Sequence, residues 1–148
     1  MKAVIQRVKH ANCTIDGDVV GSIEHGFCIF VGFCDTDTKE IVDKMAHKIG
    51  KLRVFEDEQE KMNLSLKDVE GSILSISQFT LYADCKKGNR PSFAKASKPV
   101  ISKPLYEYFN EVLRKDFCVE TGVFGADMKI DLLNDGPVTI VLDDKELF

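Results

Sequence analysis

Apolar and polar positions alternate with period two at the start of the chain, and "KAVIQRV" reads as a first strand. "CTIDGDVVGSI" reads as a hairpin turning at Asp16-Gly17. "GFCIFVGF" is a continuous apolar run with a glycine near each end, the pattern of a strand buried on both faces. The period then becomes helical: Ile41, Met45, Ile49 and Leu52 fall on one face, and Asp37 with Glu40 three residues on predicts a capping box. "LRVFED" predicts a short strand after Gly50, and "SILSISQFTLYA" the longest, with Ile73, Ser75 and Ser77 alternating against Leu74, Ile76 and Gln78. A second helix is expected from near Ser102, with Pro104 in its first turn and Leu105, Phe109, Val112 and Leu113 at helical spacing. "CVETGVFG" and the two arms around "NDGP" supply the last strands.

In "NDGPVT", Asp135-Gly136 between two alternating runs predicts a hairpin. Pro137 follows at once, where the returning strand should donate to its ladder, and proline has no N–H to give. Local physics lets Gly136-Pro137 simply end a turn. Strands joined mostly by hairpins and interrupted by two helices predict a mixed α/β sheet structure with the helices on one side. No repeat, low-complexity tract or linker divides the 148 residues, so residues 1–148 are expected to form one domain.

Charged residues at 30% and hydrophobic ones at 44% place the chain among ordinary globular proteins. No apolar run approaches a membrane span, and "MKAVIQRVKH" turns polar too soon for a signal peptide, so a cytoplasmic protein without membrane contact is expected. Cys13, Cys28, Cys34, Cys85 and Cys118 are scattered, with no C-x-x-C pair, which argues against disulfides and against a zinc site. No metal and no cofactor is expected. Net charge is −4, yet Cys85 to Tyr106 holds six basic residues and no acidic one, leaving −10 on the rest. That segment is Gly/Pro-rich and reads as an exposed loop. It suits local docking of a polyanion and, on charge alone, equally a solvated lysine-rich surface.

In "SQFTLYAD", Ser77, Gln78 and Thr80 put polar groups at the end of a strongly apolar strand. Such a strand end, leading into a long loop, is a common place for binding groups; finishing the ladder at a solvent edge is the plainer reading, and composition favours it. Ser77 and Gln78 could orient an ester or amine, and neither suits a metal. No local base serves Ser77 or Thr80: His10, His25 and His47 lie far off in sequence. Neither a glycine-rich phosphate loop nor H-E-x-x-H is present.

Together, "SQFTLYAD", "KGNRPSF", "ETGVFGADM" and "NDGPVT", after "MKAVIQRV", resemble the D-aminoacyl-tRNA deacylase family, in order and with its spacing, from residue 1 to about 142. "KMNLSL" also fits, with Glu60 where a glycine is usual. The resemblance implies a mixed, mostly antiparallel, barrel-like sheet with two main helices on one side in three layers. It implies a homodimer with active sites at its interface, acting on the aminoacyl-tRNA 3′ end and needing no other protein. The implied reaction is hydrolysis of the ester of D-aminoacyl-tRNA, and of glycyl-tRNA mischarged on tRNA(Ala), as chiral proofreading that spares L-aminoacyl-tRNA.

By the same resemblance Ser77, Gln78 and Phe79 line the aminoacyl site and Thr80 sits beside the scissile ester. Gly136 and Pro137 form a cis motif that reaches into the partner's pocket, and Arg7 braces it. Phe124 and Met128 pack around the terminal adenosine, although core packing explains Met128 equally well. Lys86, Lys87 and Arg90 are expected on acceptor-stem phosphates. Thr80 could attack the ester itself, or backbone N–H groups near Phe79 and Thr80 could stabilise an oxyanion while the tRNA 2′-OH helps activate water. The second is favoured, because no residue is placed to deprotonate Thr80.

Overall fold

The computed structural model describes residues 1–148, with strand β1 (Lys2–Ile15) as its spine. Along one edge β1 pairs antiparallel with β3 (Gly26–Gly32) and then with β2 (Asp18–Ile23); along the other it pairs antiparallel with β8 (Lys129–Asp143). Beyond β3, β6 (Ser72–Ser77) and β7 (Val119–Thr121) add in parallel. Parallel neighbours need crossovers. The first carries α1 (Lys39–Gly50) and an antiparallel ribbon, β4 (Arg53–Glu56) with β5 (Met62–Ser65). The second carries a single 3-10 turn (Phe79–Tyr82), the basic loop and α2 (Pro99–Arg114); a last turn, α3 (Asp144–Leu147), ends the chain. The sheet curls until Gly21 of β2 meets β7, where an added Cβ would lie 2.5 Å from the Thr121 carbonyl oxygen. The result is mixed, mostly antiparallel and nearly closed as a barrel. Hairpins contribute less than the pattern suggested, since β3, β6 and β7 are joined by crossovers.

Two cores flank the sheet. Ile5, Phe27, Ile29, Val31 and Ile73 face α1 and α2, meeting Met45, Ile49, Leu105, Phe109 and Leu113. Val8, Ala11, Cys13, Cys28, Leu74 and Ile76 form the second, covered by half-buried Met128, Ile130 and Leu132. Ala3 and Ile5 serve one core, Ala11 and Cys13 the other, although all four are odd-numbered. The register against β8 slips between Val8 and Ala11. One extra residue there swaps the faces of everything after it.

The "NDGP" stretch is no hairpin. Both of its arms pair with β1, Leu132 with Ala11 and Asn134 with Val8 before it, Thr139 with Gln6 after it. While β1 advances two residues, β8 advances five, so Asp135–Val138 stands out from a continuous strand as a broad bulge. Its Gly136–Pro137 peptide is cis.

The helix starts also differ from expectation. Thr38, not Asp37, caps α1, its hydroxyl accepting from Ile41 N at 3.4 Å. Asp37 turns inward: one carboxylate oxygen accepts from Cys34 N at 2.8 Å and the other from the Met1 ammonium at 2.6 Å. That ammonium, fully buried, also meets Asp144 at 2.6 Å. Helix α2 begins at Pro99, three residues before the expected start, so Pro104 lies inside it. The carbonyl that Pro104 leaves without its i+4 donor is that of Val100, in the first turn, while the Lys98 carbonyl gathers Ile101 N, Ser102 N and Ser102 Oγ. Glu60 holds left-handed backbone (φ +59), the conformation that glycine favours. All five cysteines are free, and Cys13, Cys28 and Cys34 are buried, where a thiol packs as a small hydrophobe. No helix is long and apolar enough to cross a membrane.

Candidate active site

Strand β6 does not run on through "QFTLYA". Its last ladder bond is Gln78 N to the Val31 carbonyl at 2.7 Å; the backbone then leaves the extended region and coils into the Phe79–Tyr82 turn. Leu81 N bonds to Gln78 O and Ala83 N to Thr80 O, closing that turn. Phe79 and Thr80 open it, so their own N–H groups have no partner within it. Both side chains are exposed, where a continuing strand would have buried one of them. Tyr82, by contrast, points inward and is buried, which anchors the turn. Burial raises its phenol pKa, with Cys34 and then the Asp37 and Asp144 carboxylates adding to the shift.

A cleft of about 590 Å³ opens beside this turn. Ser77, Gln78 and Phe79 line it, and so do Phe124 and Met128. Phe124 is held by Tyr106, ring centroids 6.0 Å apart, and Tyr106 in turn donates to the Ser75 carbonyl at 2.7 Å. Met128 packs on the second core, as the core reading required, and it also lines the cleft. Thr80 is exposed and is not among the residues lining the cleft. Its hydroxyl accepts a hydrogen bond from the Gln78 amide, which cannot take a proton from it. No histidine lines the cleft, and His25 is engaged with the Val69 carbonyl at 2.7 Å. No group of three His, Cys, Asp or Glu is placed to hold a metal ion.

The basic loop is pinned at its base. Asp84 and Ser92 exchange backbone bonds of 2.8 and 2.9 Å, and Lys95 pairs with Asp84 at 2.9 Å. Beyond this clamp Lys86, Lys87 and Arg90 are exposed, and none forms an ion pair. Phe93 and Lys98 are among the cleft residues that went unread in the sequence. Phe93, from "KGNRPSF", meets Phe79 edge-on at 5.1 Å, and Lys98 stands where α2 begins. An aromatic beside a lysine cluster was the available signal for Phe93. Lys98 lay hidden in the overall charge count.

Arg7, Gly136 and Pro137 do not join this cleft within the chain. Arg7 is buried and borders a separate recess of about 350 Å³ with Lys9, His25, Glu56 and Asp135. Its Nη1 donates to the Val54 carbonyl at 2.6 Å and its Nε to the Asp135 carbonyl at 3.2 Å. Gly136, at φ +120, would bring a Cβ within 2.8 Å of Arg7 Nη2. Asn134 closes the bulge from the other side, its amide donating to Arg7 O and Val138 O. Gly136 and Pro137 themselves are exposed.

A family model described as D-Tyr-tRNA(Tyr) deacylase matches residues 4–143. The chain belongs to the D-aminoacyl-tRNA deacylase family. A D-aminoacyl-tRNA deacylase from Geobacillus sp. (strain WCH70) is 56% identical over 147 residues, covering 99% of this chain and 97% of that protein. One from Lactobacillus acidophilus is 60% identical over 144 residues, covering 97% and 99%. Among solved structures, the c-Myc DNA Unwinding Element Binding Protein superposes with a TM-score of 0.91 at 41% identity, covering 97% of this chain and 98% of that one. A probable eukaryotic D-amino acid tRNA deacylase shares the fold, with a TM-score of 0.81 at 17% identity over 95% and 97% of the two chains. The deacylase family expected from the sequence motifs is thus the family found.

Proposed function

We propose that this chain hydrolyses the ester joining a D-amino acid, or glycine, to the 3′-terminal adenosine of tRNA, glycyl-tRNA(Ala) included. The observation carrying the proposal is the meeting, in one cleft, of Ser77–Phe79 with Phe124 and Met128, residues distant in sequence. The first group suits the aminoacyl ester. The second offers an aromatic face and a thioether to a base.

Water attacks the ester carbonyl carbon, and the charge on its oxygen is met by the N–H groups of Phe79 and Thr80, which have no partner inside their turn. The tRNA 2′-OH accepts the water's proton and relays it to the departing 3′-oxygen. The C–O bond breaks, releasing free amino acid and tRNA. Thr80 orients and does not attack, since its one side-chain partner, the Gln78 amide, is no base. Aligning reactants in the cleft supplies much of the rate for an already reactive ester.

Selection by handedness needs a second copy. In a homodimer the exposed Gly136-Pro137 bulge of one protomer enters the partner's cleft and turns its carbonyl oxygens toward the substrate α-carbon. Exposed Leu133 and Val141, on the same strand, fit a surface that is covered on assembly. An L-side chain would be driven into that backbone, and each 1.4 kcal/mol of clash is about tenfold in affinity. Glycine has no side chain to reject. Lys86, Lys87 and Arg90 dock acceptor-stem phosphates.

The unpaired basic loop and the name of the 41% identical solved structure favour a second reading, nucleic-acid binding without turnover. One experiment decides. The protein is incubated with D- and L-tyrosyl-tRNA, with and without chelator, and the remaining ester is followed. Selective, chelator-resistant loss of the D-ester is expected. Binding with both esters intact would overturn the proposal.

A further inference from the structure

We propose that Lys98 grips the phosphodiester just 5′ of the terminal adenosine and so positions the ester over the Phe79–Thr80 turn; this rests on the aminoacyl-tRNA reading above. Only two residues of the cleft wall carry charge, Lys98 and Asp127. Asp127 is neutralised by Lys129, which meets both its oxygens at 3.1 Å. The neighbouring lysines of the basic segment are also spoken for: Lys95 by Asp84 at 2.9 Å, Lys103 by Glu107 at 3.8 Å. Lys98 has no carboxylate partner, and it is exposed. It is the single uncompensated charge facing the cleft.

Its place in the chain is locally unfavourable. Lys98 is the N-cap of a sixteen-residue helix and makes no capping bond with its side chain. Ser, Thr, Asp or Asn would serve better there, and a cation opposes the positive end of the helix dipole. Local rules tend to be broken where a ligand restores the balance. An anion between the ammonium and the helix end would be attracted by both. The Lys98 backbone is fixed for this task, because its carbonyl accepts from Ile101 N at 2.9 Å, Ser102 N at 3.0 Å and Ser102 Oγ at 3.1 Å. With ester and base filling the cleft from Gln78 to Phe124, the first phosphate of the substrate is the anion within a lysine's reach. Lys86, Lys87 and Arg90 lie beyond the Asp84–Ser92 clamp and are left for phosphates farther along the strand.

The test compares D-tyrosyl-tRNA with 3′-O-D-tyrosyl-adenosine, which has the same ester and base but no phosphate. For Lys98→Ala and Lys98→Gln, kcat/KM on the tRNA should fall about tenfold or more, mostly through KM, as for loss of one charge-assisted hydrogen bond. That loss should exceed the loss on the adenosine ester by about the same factor. The slope of log kcat/KM against log salt should shrink by about 0.7, one phosphate's share for a single strand. Lys98→Arg should recover most of the activity. Equal losses on both substrates, or none on the tRNA, would overturn the role of Lys98 and leave the deacylase reading standing. A wild-type protein inert toward both substrates would overturn the two together.

Discussion

Arg7 Nε donates to the main-chain carbonyl of Asp135 at 3.2 Å, so a buried guanidinium on β1 holds the residue that precedes Gly136. The same side chain reaches the Val54 carbonyl of β4 at 2.6 Å. Arg7→Ala leaves both carbonyls without their donor, at about 1–3 kcal/mol for each buried group. Urea unfolding should show a loss of about 2–6 kcal/mol, with D-ester hydrolysis falling further than stability alone explains. Arg7→Lys should restore little, since one ammonium cannot span two acceptors held by a planar fork. An undisturbed urea midpoint would show that the brace is idle.

Gly136→Ala tests the bulge itself. At φ +120 a side chain is strained, and its Cβ would sit 2.8 Å from Arg7 Nη2 and 3.0 Å from Val138 Cγ2. The strain is about 1–3 kcal/mol. If the corner reads handedness, the ratio of D- to L-tyrosyl-tRNA hydrolysis should drop as the corner shifts. A lowered melting temperature with an unchanged ratio would remove Gly136 from selection.

Thr80→Ala separates the two mechanisms. The substitution removes a hydroxyl hydrogen-bonded to the Gln78 amide. One neutral hydrogen bond is worth about 1 kcal/mol, so single-turnover rates should fall by less than about tenfold. A rate at the uncatalysed background would make Thr80 the nucleophile.

Replacing Lys86, Lys87 and Arg90 together by alanine should weaken tRNA binding and reduce the log–log salt slope by about 2, with three phosphate contacts gone. Since these side chains are exposed and make no ion pairs, stability should hold. Filter binding across a salt series measures this. A slope equal to wild type would mean that the loop points away from the nucleic acid.

The cysteines give a pH-dependent readout of the second core. Burial pushes the Cys28 thiol up to about 12, with Cys13 adding to it, and burial also raises Cys13. A raised thiol pKa keeps the unreactive protonated form dominant well above neutrality. Iodoacetamide at pH 8 should therefore label exposed Cys85 and Cys118 in the native protein, and all five thiols once it is unfolded. Rapid native labelling of Cys28, seen by mass spectrometry, would mean that this core opens.

Much of the fold was legible because its signals are local. The Asp16-Gly17 turn, with both residues at positive φ, follows from the side chains on the spot. So does the double burial of β3, whose glycine-bounded apolar run is buried at successive positions and therefore on both faces. Helical spacing located the faces that Met45, Ile49, Leu105 and Phe109 bury. The motif residues Ser77, Gln78, Phe79, Phe124 and Met128 proved to share a cleft.

Tertiary structure decided the points at which one group has several possible partners. An Asp can cap a helix or neutralise an ammonium; Asp37 took the Met1 terminus, and the cap passed to Thr38. Asp-Gly can turn a chain back on itself, yet a single strand, β1, offered pairing to both arms, and "NDGP" became a bulge. Strand β6 ends where Gln78 N makes its last ladder bond, to the Val31 carbonyl, and the chain coils into the Phe79–Tyr82 turn. The chain by itself determined the periods, the Asp16-Gly17 turn and the family. Contacts between residues far apart in sequence chose among the hydrogen-bond partners, because a donor or acceptor has no preference until folding brings its alternatives within reach.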